Sequence, residues 1–172
     1  MEEGNAEIGE LMDLYGKQLM NLAYTYCKDW GMAEDIVQEV FLNAYRKMDA
    51  FDGISSYKTW LYAITINKSK DFLRKPFRRE SFMQRIFHKR NSHQPTPEEM
   101  VIVKGDQQDL ASEVMNLPVK YREMIILYYY EEMNALEAAD LLNIPHSTAK
   151  TRLQRGRQLL RKQLEGCDFL AK

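Results

Sequence analysis

The stretch "NALEAADLLNIPHSTAKTRLQRGRQLLRK", Asn134 to Lys162, decides how the C-terminal half folds. It reads as two helices, residues 134–142 and 147 to about 165, separated by "NIPH", whose Pro145 cannot continue a helical hydrogen-bond ladder. Two helices joined by so short a turn form a helix-turn-helix when the second is polar on one face. In the first, Leu136, Ala139 and Leu142 are expected to pack, and the small Ala138 and Ala139 permit close approach of the partner helix. In the second, Leu153, Leu159, Leu160 and Leu164 are expected to face inward, so Lys150, Thr151, Gln154 and Arg155 project. The segment 147–162 carries six Lys or Arg residues and no acid, although the chain holds 24 basic and 25 acidic residues in all. Charge gathered on one helix of a nearly neutral chain suits a polyanion touched by that helix. The N-terminal half of such a helix reaches base edges in the major groove, and flanking cations hold phosphates. A merely solvated helix face is the plainer alternative; the missing acids and the upstream helix with its proline turn weigh against it.

The rest of the composition fits a soluble, reduced protein. Apolar residues make up 45% of the 172, enough for a core. The acidic start "MEEGNAEIGELMDLYGK" lacks the basic and apolar regions of a signal peptide. The longest apolar runs, such as 124–130, are too short to span a bilayer, so no membrane insertion is expected. Two cysteines far apart, Cys27 and Cys167, argue against a disulfide framework and for the cytoplasm.

Helical periodicity runs through the chain, and no strand alternation of useful length appears. Ile8, Leu11, Met12, Tyr15, Leu19, Leu22 and Tyr26 predict a helix over 6–28, broken by Trp30-Gly31. A second helix is expected over 32–48, with Ile36, Val37, Val40, Phe41, Ala44 and Met48 on its apolar stripe. "FDGISS" (Phe51 to Ser56) supplies a turn through Asp-Gly, and Ser55 or Ser56 can cap a third helix over 57–75. Residues 76–97 hold three prolines, five basic residues and one acid with weak periodicity, which reads as a flexible linker. Thr96, Pro97 and Glu99 form a helix-start signature for a helix reaching about Asn116, and another is expected over 119–130. The expected architecture is all-α: two small helical domains, 1–75 and 98–172, joined by the linker 76–97.

"AEDIVQEVFLNAYRKMDAFDGISSYKTWLYAITINKSKDFLRK" (Ala33 to Lys75) resembles domain 2 of the sigma-70 family of RNA polymerase sigma factors, most closely its small extracytoplasmic-function (ECF, group IV) members. "LPVKYREMIILYYYEEMNALEAADLLNIPHSTAKTRLQRGRQLLRKQL" (Leu117 to Leu164) resembles domain 4 of the same proteins. The two stretches occur in the family's order and cover about half the chain. The sequence departs from the family's habit at four places. Ser147 stands where Gly is usual, Ala149 where Val or Ile is, Ala138 where a β-branched residue is, and Glu132 where Gly is common.

The resemblance implies a factor that binds core RNA polymerase and directs promoter-specific initiation, in a stress or cell-envelope response. Asp35, Gln38 and Glu39, at i, i+3 and i+4 on one face of the second helix, would then bind the β′ clamp helices. The loop Phe51, Asp52, Gly53, Ser55 and Ser56, with Asn67, Lys70 and Arg74 of the third helix, would melt and read the minus-ten element, Phe51 and Asn67 helping to pocket a flipped base. Trp60 is expected to be a core aromatic. Lys150, Thr151, Gln154 and Arg155 would face the minus-thirty-five element, with Arg152, Arg157 and Arg161 nearer phosphate or the β flap. An anti-sigma factor, often membrane-anchored, is implied as a further partner.

His88, His93 and His146 match no zinc spacing with either cysteine, and no phosphate loop or nucleophile motif is present. No cofactor, no metal and no enzymatic activity are expected. Two other readings compete: a stand-alone helix-turn-helix regulator that binds an operator as a dimer, and a protein-binding helical adaptor. The polymerase-like N-terminal half argues against the first and the acid-free helix against the second.

Overall fold

Leucine and tyrosine recur every three or four residues near the N-terminus, and the chain coils there into α1, Glu2–Cys27. The computed structural model describes residues 2–48, 51, 53, 55–74 and 106–168, with side chains from 7 and 110 onward in the outer helices and up to 165. The proposed linker, Asp52, and the expected helix start at Thr96, Pro97 and Glu99 lie outside the described residues. Two compact units divide the chain, residues 1–94 and 95–172. Among the described residues there are seven helices and no strand.

The first unit packs α1 against α2, Trp30–Lys47, and α3, Tyr57–Arg74. Its core is built from Leu19, Leu22 and Ala23 of α1, Ala33, Val40 and Ala44 of α2, and Leu61, Tyr62 and Ile66 of α3, all essentially inaccessible. Each large side chain so buried contributes roughly 1.5–3 kcal/mol. Met12, expected on the buried stripe of α1, is instead half exposed. The break between α1 and α2 also falls earlier than expected. Lys28 turns into the left-handed region (φ 57°), and Asp29 caps α2 by accepting a hydrogen bond from the Met32 amide at 2.9 Å. Trp30 stacks on Tyr24 with ring centroids 4.2 Å apart, which draws Trp30-Gly31 into the first turn of α2 rather than the gap before it.

The second unit holds α4 (Asp106–Asn116), α5 (Val119–Tyr129), α6 (Ala135–Leu142) and α7 (His146–Asp168). Residues Arg122 to Leu127 of α5 are buried without interruption, so this helix is the axis of the unit, covered by α4, α6 and α7. Where α7 crosses α5, Gly156 is buried. A Cβ there would lie 3.1 Å from Ile125 Cγ1 and 3.6 Å from Tyr121 Cβ, which accounts for a glycine in mid-helix despite its cost of about 1 kcal/mol.

Helix α6 is set by a capping box. The Asn134 carboxamide oxygen accepts from the Leu136 and Glu137 amides, and the Glu137 carboxylate accepts from the Asn134 amide. That registration buries Ala138, Ala139 and Leu142 and leaves Leu136 52% exposed, so Leu136 is not the packing residue it was expected to be. The turn to α7 runs through Asn143 in the left-handed region (φ 52°), with the Ile144 amide donating to the Ala139 carbonyl at 3.0 Å.

Glu132, one of the four expected departures from the family's habit, also sits in the left-handed region (φ 56°). A side chain there costs roughly 1–2 kcal/mol relative to glycine, partly offset by the greater unfolded-state freedom of glycine. Glu132→Gly is therefore expected to raise the stability of the second unit by up to about 1 kcal/mol. Chemical denaturation followed by hydrogen exchange in α5 checks it, and a lower midpoint would show that the Glu132 side chain itself stabilises the turn.

Candidate functional site

The outward face of α7 comes first. Ala149, Leu153 and Gly156 form its buried stripe at i, i+4 and i+7. The opposite side exposes Lys150, Thr151, Gln154 and Arg155. The Thr151 hydroxyl donates to the Ser147 carbonyl at 2.9 Å, which leaves its oxygen lone pairs and methyl outward. Leu159, Leu160 and Leu164, expected inward, are half-buried.

The basic residues of α7 divide into two groups. Arg155 borders an open cleft of about 290 Å³ lined also by Lys120, Tyr121, Ser147, Thr148, Thr151 and Arg152. A hydrogen bond from the Arg155 guanidinium holds the Tyr121 phenol below its ordinary range, and the charge of Lys120, whose ammonium lies 5.0 Å from the ring centroid, adds to this. Arg152 lines the same cleft, but its guanidinium is engaged within the unit. Its guanidinium donates at 3.0 Å to Glu123, whose side chain is 3% exposed, so it ties α7 to the buried axis of the unit. It is not a free cation for phosphate. Arg157 donates to the Tyr129 hydroxyl at 2.8 Å and lies over the Tyr128 and Tyr129 rings, although it remains exposed. Arg161 pairs with Glu165 on the helix surface.

In the first unit the loop after α2 brings an aromatic group together. Phe51 stacks on Tyr57 (4.5 Å, 23°) and tilts against Trp60 (4.9 Å, 38°). Gly53 takes φ 70°, which a side chain resists, and Ser55 and Ser56 are exposed. Ser56 is the cap: its hydroxyl oxygen accepts from the Thr59 amide at 3.1 Å. Trp60, expected in the core, is only half-buried and belongs to this surface group, because α3 buries Leu61, Tyr62, Thr65 and Ile66 instead.

Trp60, Asn67, Lys70 and Arg74 follow one another down one face of α3. Asn67 is exposed and stands about 10 Å along the axis from Trp60 at 1.5 Å per residue. Phe51 packs against Trp60 at the upper end of this face, and Asn67 stands two turns below Trp60 on it. Arg74 is exposed beside Asp71.

On α2, Asp35 and Gln38 are exposed, and the Gln38 amide donates to Glu34 at 3.4 Å. Glu39 is half-exposed and bonded to Lys68 of α3 at 3.0 Å, so that pair also braces the bundle. The exposed stripe that starts at Asp35 and Gln38 continues to Leu42 (55% exposed) and Tyr45 (41% exposed), at i+7 and i+10. The sequence reading missed these two. Apolar residues off the buried stripe of an amphipathic helix were the available signal.

Among the described residues no group of His, Cys, Asp and Glu could hold a metal ion, and no helix is long and apolar enough to cross a membrane. His88 and His93 lie outside the described residues.

Residues 11–79 match the family of sigma-70 region 2, and residues 107–160 match that of sigma-70 region 4. The chain is 33% identical over 164 residues to the ECF RNA polymerase sigma factor SigW of Bacillus subtilis, covering 90% of this chain and 87% of that one. It is 31% identical over 156 residues to SigM of the same organism, covering 90% and 93%. Among solved structures it resembles the sigma factor RpoE of Bartonella quintana, crystallised with the anti-sigma factor NepR, with a TM-score of 0.71, 26% identity and coverage of 92% and 97%. CnrH in complex with the cytosolic domain of CnrY gives a TM-score of 0.66 at 25% identity, covering 94% and 90%. With both regions in order along it and relatives matched over nearly their whole length, the chain belongs to the ECF sigma factors of the sigma-70 family.

Proposed function

We propose that the two units divide promoter recognition between them, with the boundaries 1–75 and 98–172. The outward face of α7 reads the minus-thirty-five element from the major groove through Lys150, Thr151, Gln154 and Arg155. The observation that carries this is one exposed helix face rich in donors and acid-free, backed by a stripe of Ala149, Leu153 and Gly156 that lets α7 lie close on α5. Arg157 flanks this face on its tyrosine platform, toward phosphate or the polymerase flap. Arg152, at the edge of the same cleft, holds α7 through Glu123.

In the first unit the loop rings and the α3 track take the melted minus-ten strand. Aromatic rings give bases a stacking surface, the Asn67 amide can match a base edge with a donor and an acceptor, and Lys70 and Arg74 follow along the backbone path. Sigma factors are non-enzymatic initiation factors, so opening is driven by such contacts and not by a bond-making step of this chain. The β′ clamp helices dock on the stripe Asp35, Gln38, Leu42 and Tyr45, where two apolar side chains supply buried area and the acid supplies charge complementarity. RpoE is solved in complex with an anti-sigma factor; a partner of that kind would here compete for these surfaces, with the protein held in the cytoplasm.

Asp35→Lys and Leu42→Glu test the docking stripe. Both positions are exposed, so helical circular dichroism should not change. Affinity for core polymerase, measured by titration, is expected to fall about ten-fold or more for each, because a like charge or a buried carboxylate then faces the clamp. Unchanged affinity for both would move the docking site off α2.

A further inference from the structure

The ring group at the start of α3 is held from a distant part of the chain. Tyr57 occupies the first position of α3, where little of the helix surrounds its side chain, yet its hydroxyl donates to a carboxylate oxygen of Glu7 in α1. Glu7, as a carboxylate, only accepts, so the phenol must donate and its direction is fixed. The same bond, ahead of desolvation, raises the Tyr57 phenol above its ordinary value. Phe51 in turn has its ring stacked on Tyr57 and tilted against Trp60. Its amide donates to the nearby Met48 carbonyl, at 3.0 Å. Two residues further on, the loop turns through Gly53 at φ 70°. The stacking surface therefore depends on where Tyr57 stands, and α1 sets that through one side chain fifty residues away in sequence.

We propose that Glu7 is a positioning residue for promoter opening: through Tyr57 it fixes the Phe51 ring on which the melted minus-ten strand stacks. This rests on the reading of the loop as the strand-capturing element. Glu7 need not touch DNA. Its effect should appear in the opening step and leave polymerase docking on α2 and duplex binding by α7 as they are.

The test uses holoenzyme assembled from core polymerase and the full chain, with a fluorescent base analogue in the minus-ten non-template strand. Glu7→Ala is expected to slow opening about 3- to 10-fold, the range of one hydrogen bond's net contribution. Tyr57→Phe, which keeps the ring and removes the donor, should do the same. The double variant should be no slower than either single one, because both remove the same bond. Glu7→Gln retains an acceptor oxygen and should recover most of the rate, a rescue that a general charge effect near DNA would not give. Core affinity and upstream duplex binding should stay within two-fold of wild type throughout.

Phe51→Ala separates the two claims. If it opens the promoter at the wild-type rate, the loop reading fails, and the Glu7 proposal with it. If Phe51→Ala is slow while Glu7→Ala and Tyr57→Phe open normally, the loop reading stands and the Glu7 proposal is overturned. Additive losses in the double variant, or no rescue by Gln, overturn it as well.

Discussion

Arg152→Ala is expected to unfold the second unit under conditions where the first stays folded. Its partner Glu123 is 3% exposed on the side chain and sits on α5, the helix around which the unit is built. Removing one member of a buried ion pair costs about 3–5 kcal/mol, because the remaining charge stays out of water. Arg152 is itself 25% exposed, which places the expected loss near the lower end, about 3 kcal/mol. A helical unit of this size has only a few kcal/mol of stability to lose. Both tryptophans, Trp30 and Trp60, belong to the first unit, so the readout is hydrogen exchange in α5 and α7 rather than fluorescence. Replacing the pair together, Glu123→Leu with Arg152→Met, should restore protection, since an apolar pair of similar volume suits the site. The restored protein should bind minus-thirty-five duplex nearly as well as wild type. A folded double variant that binds ten-fold more weakly would return Arg152 to the DNA face.

That pair shows what the sequence alone could and could not reveal. The helices were legible because their signals are local: leucines and tyrosines at three- and four-residue spacing in α1, the apolar stripe of α2, Pro118 before α5. The outward face of α7 was legible for the same reason. Glu123 and Arg152 lie 29 residues apart, and no local pattern distinguishes an arginine bound for a buried carboxylate from its neighbours bound for solvent. Leu136 was misplaced because a leucine at helical spacing reads as core, whereas the Asn134–Glu137 box fixes a rotation that turns it out. That box, Asn followed three residues later by Glu, was visible and would have corrected the rotation. Trp60 was expected to be a core aromatic. The ring it tilts against at the surface, Phe51, comes from across the turn.

Asn67→Ala and Phe51→Ala are expected to block opening separately rather than as one pocket. Each contact to an unstacked base is worth about 1–3 kcal/mol, so each variant should lower the open-complex equilibrium roughly 5- to 150-fold while closed-complex binding through α7 is nearly intact. Phe51 packs on Tyr57 and Trp60 at the start of α3, and Asn67 stands about 10 Å along the axis from Trp60, near the limit beyond which substitutions usually act independently. The double variant should therefore show the product of the two losses. A promoter carrying a pre-melted bubble should rescue each only in part, because the lost base contact persists after the strands separate. Opening by Asn67→Ala at the wild-type rate would make Asn67 a helix-surface amide. A double variant no worse than the stronger single one would mean that loop and helix close on the same base after all.

The most direct measurement is in vitro transcription by core polymerase with the purified protein on a library of promoters randomised upstream of a fixed start, the transcripts then being sequenced. Two blocks of selected sequence at a constant spacing are expected, one near minus thirty-five and one near minus ten, each tied to one unit. Arg155→Ala should relax selection at a position in the upstream block, at a cost of roughly 1–3 kcal/mol there, and leave the downstream block unchanged. Transcripts no more abundant than with core polymerase alone, or selection confined to a single block, would contradict a division of promoter recognition between the two units.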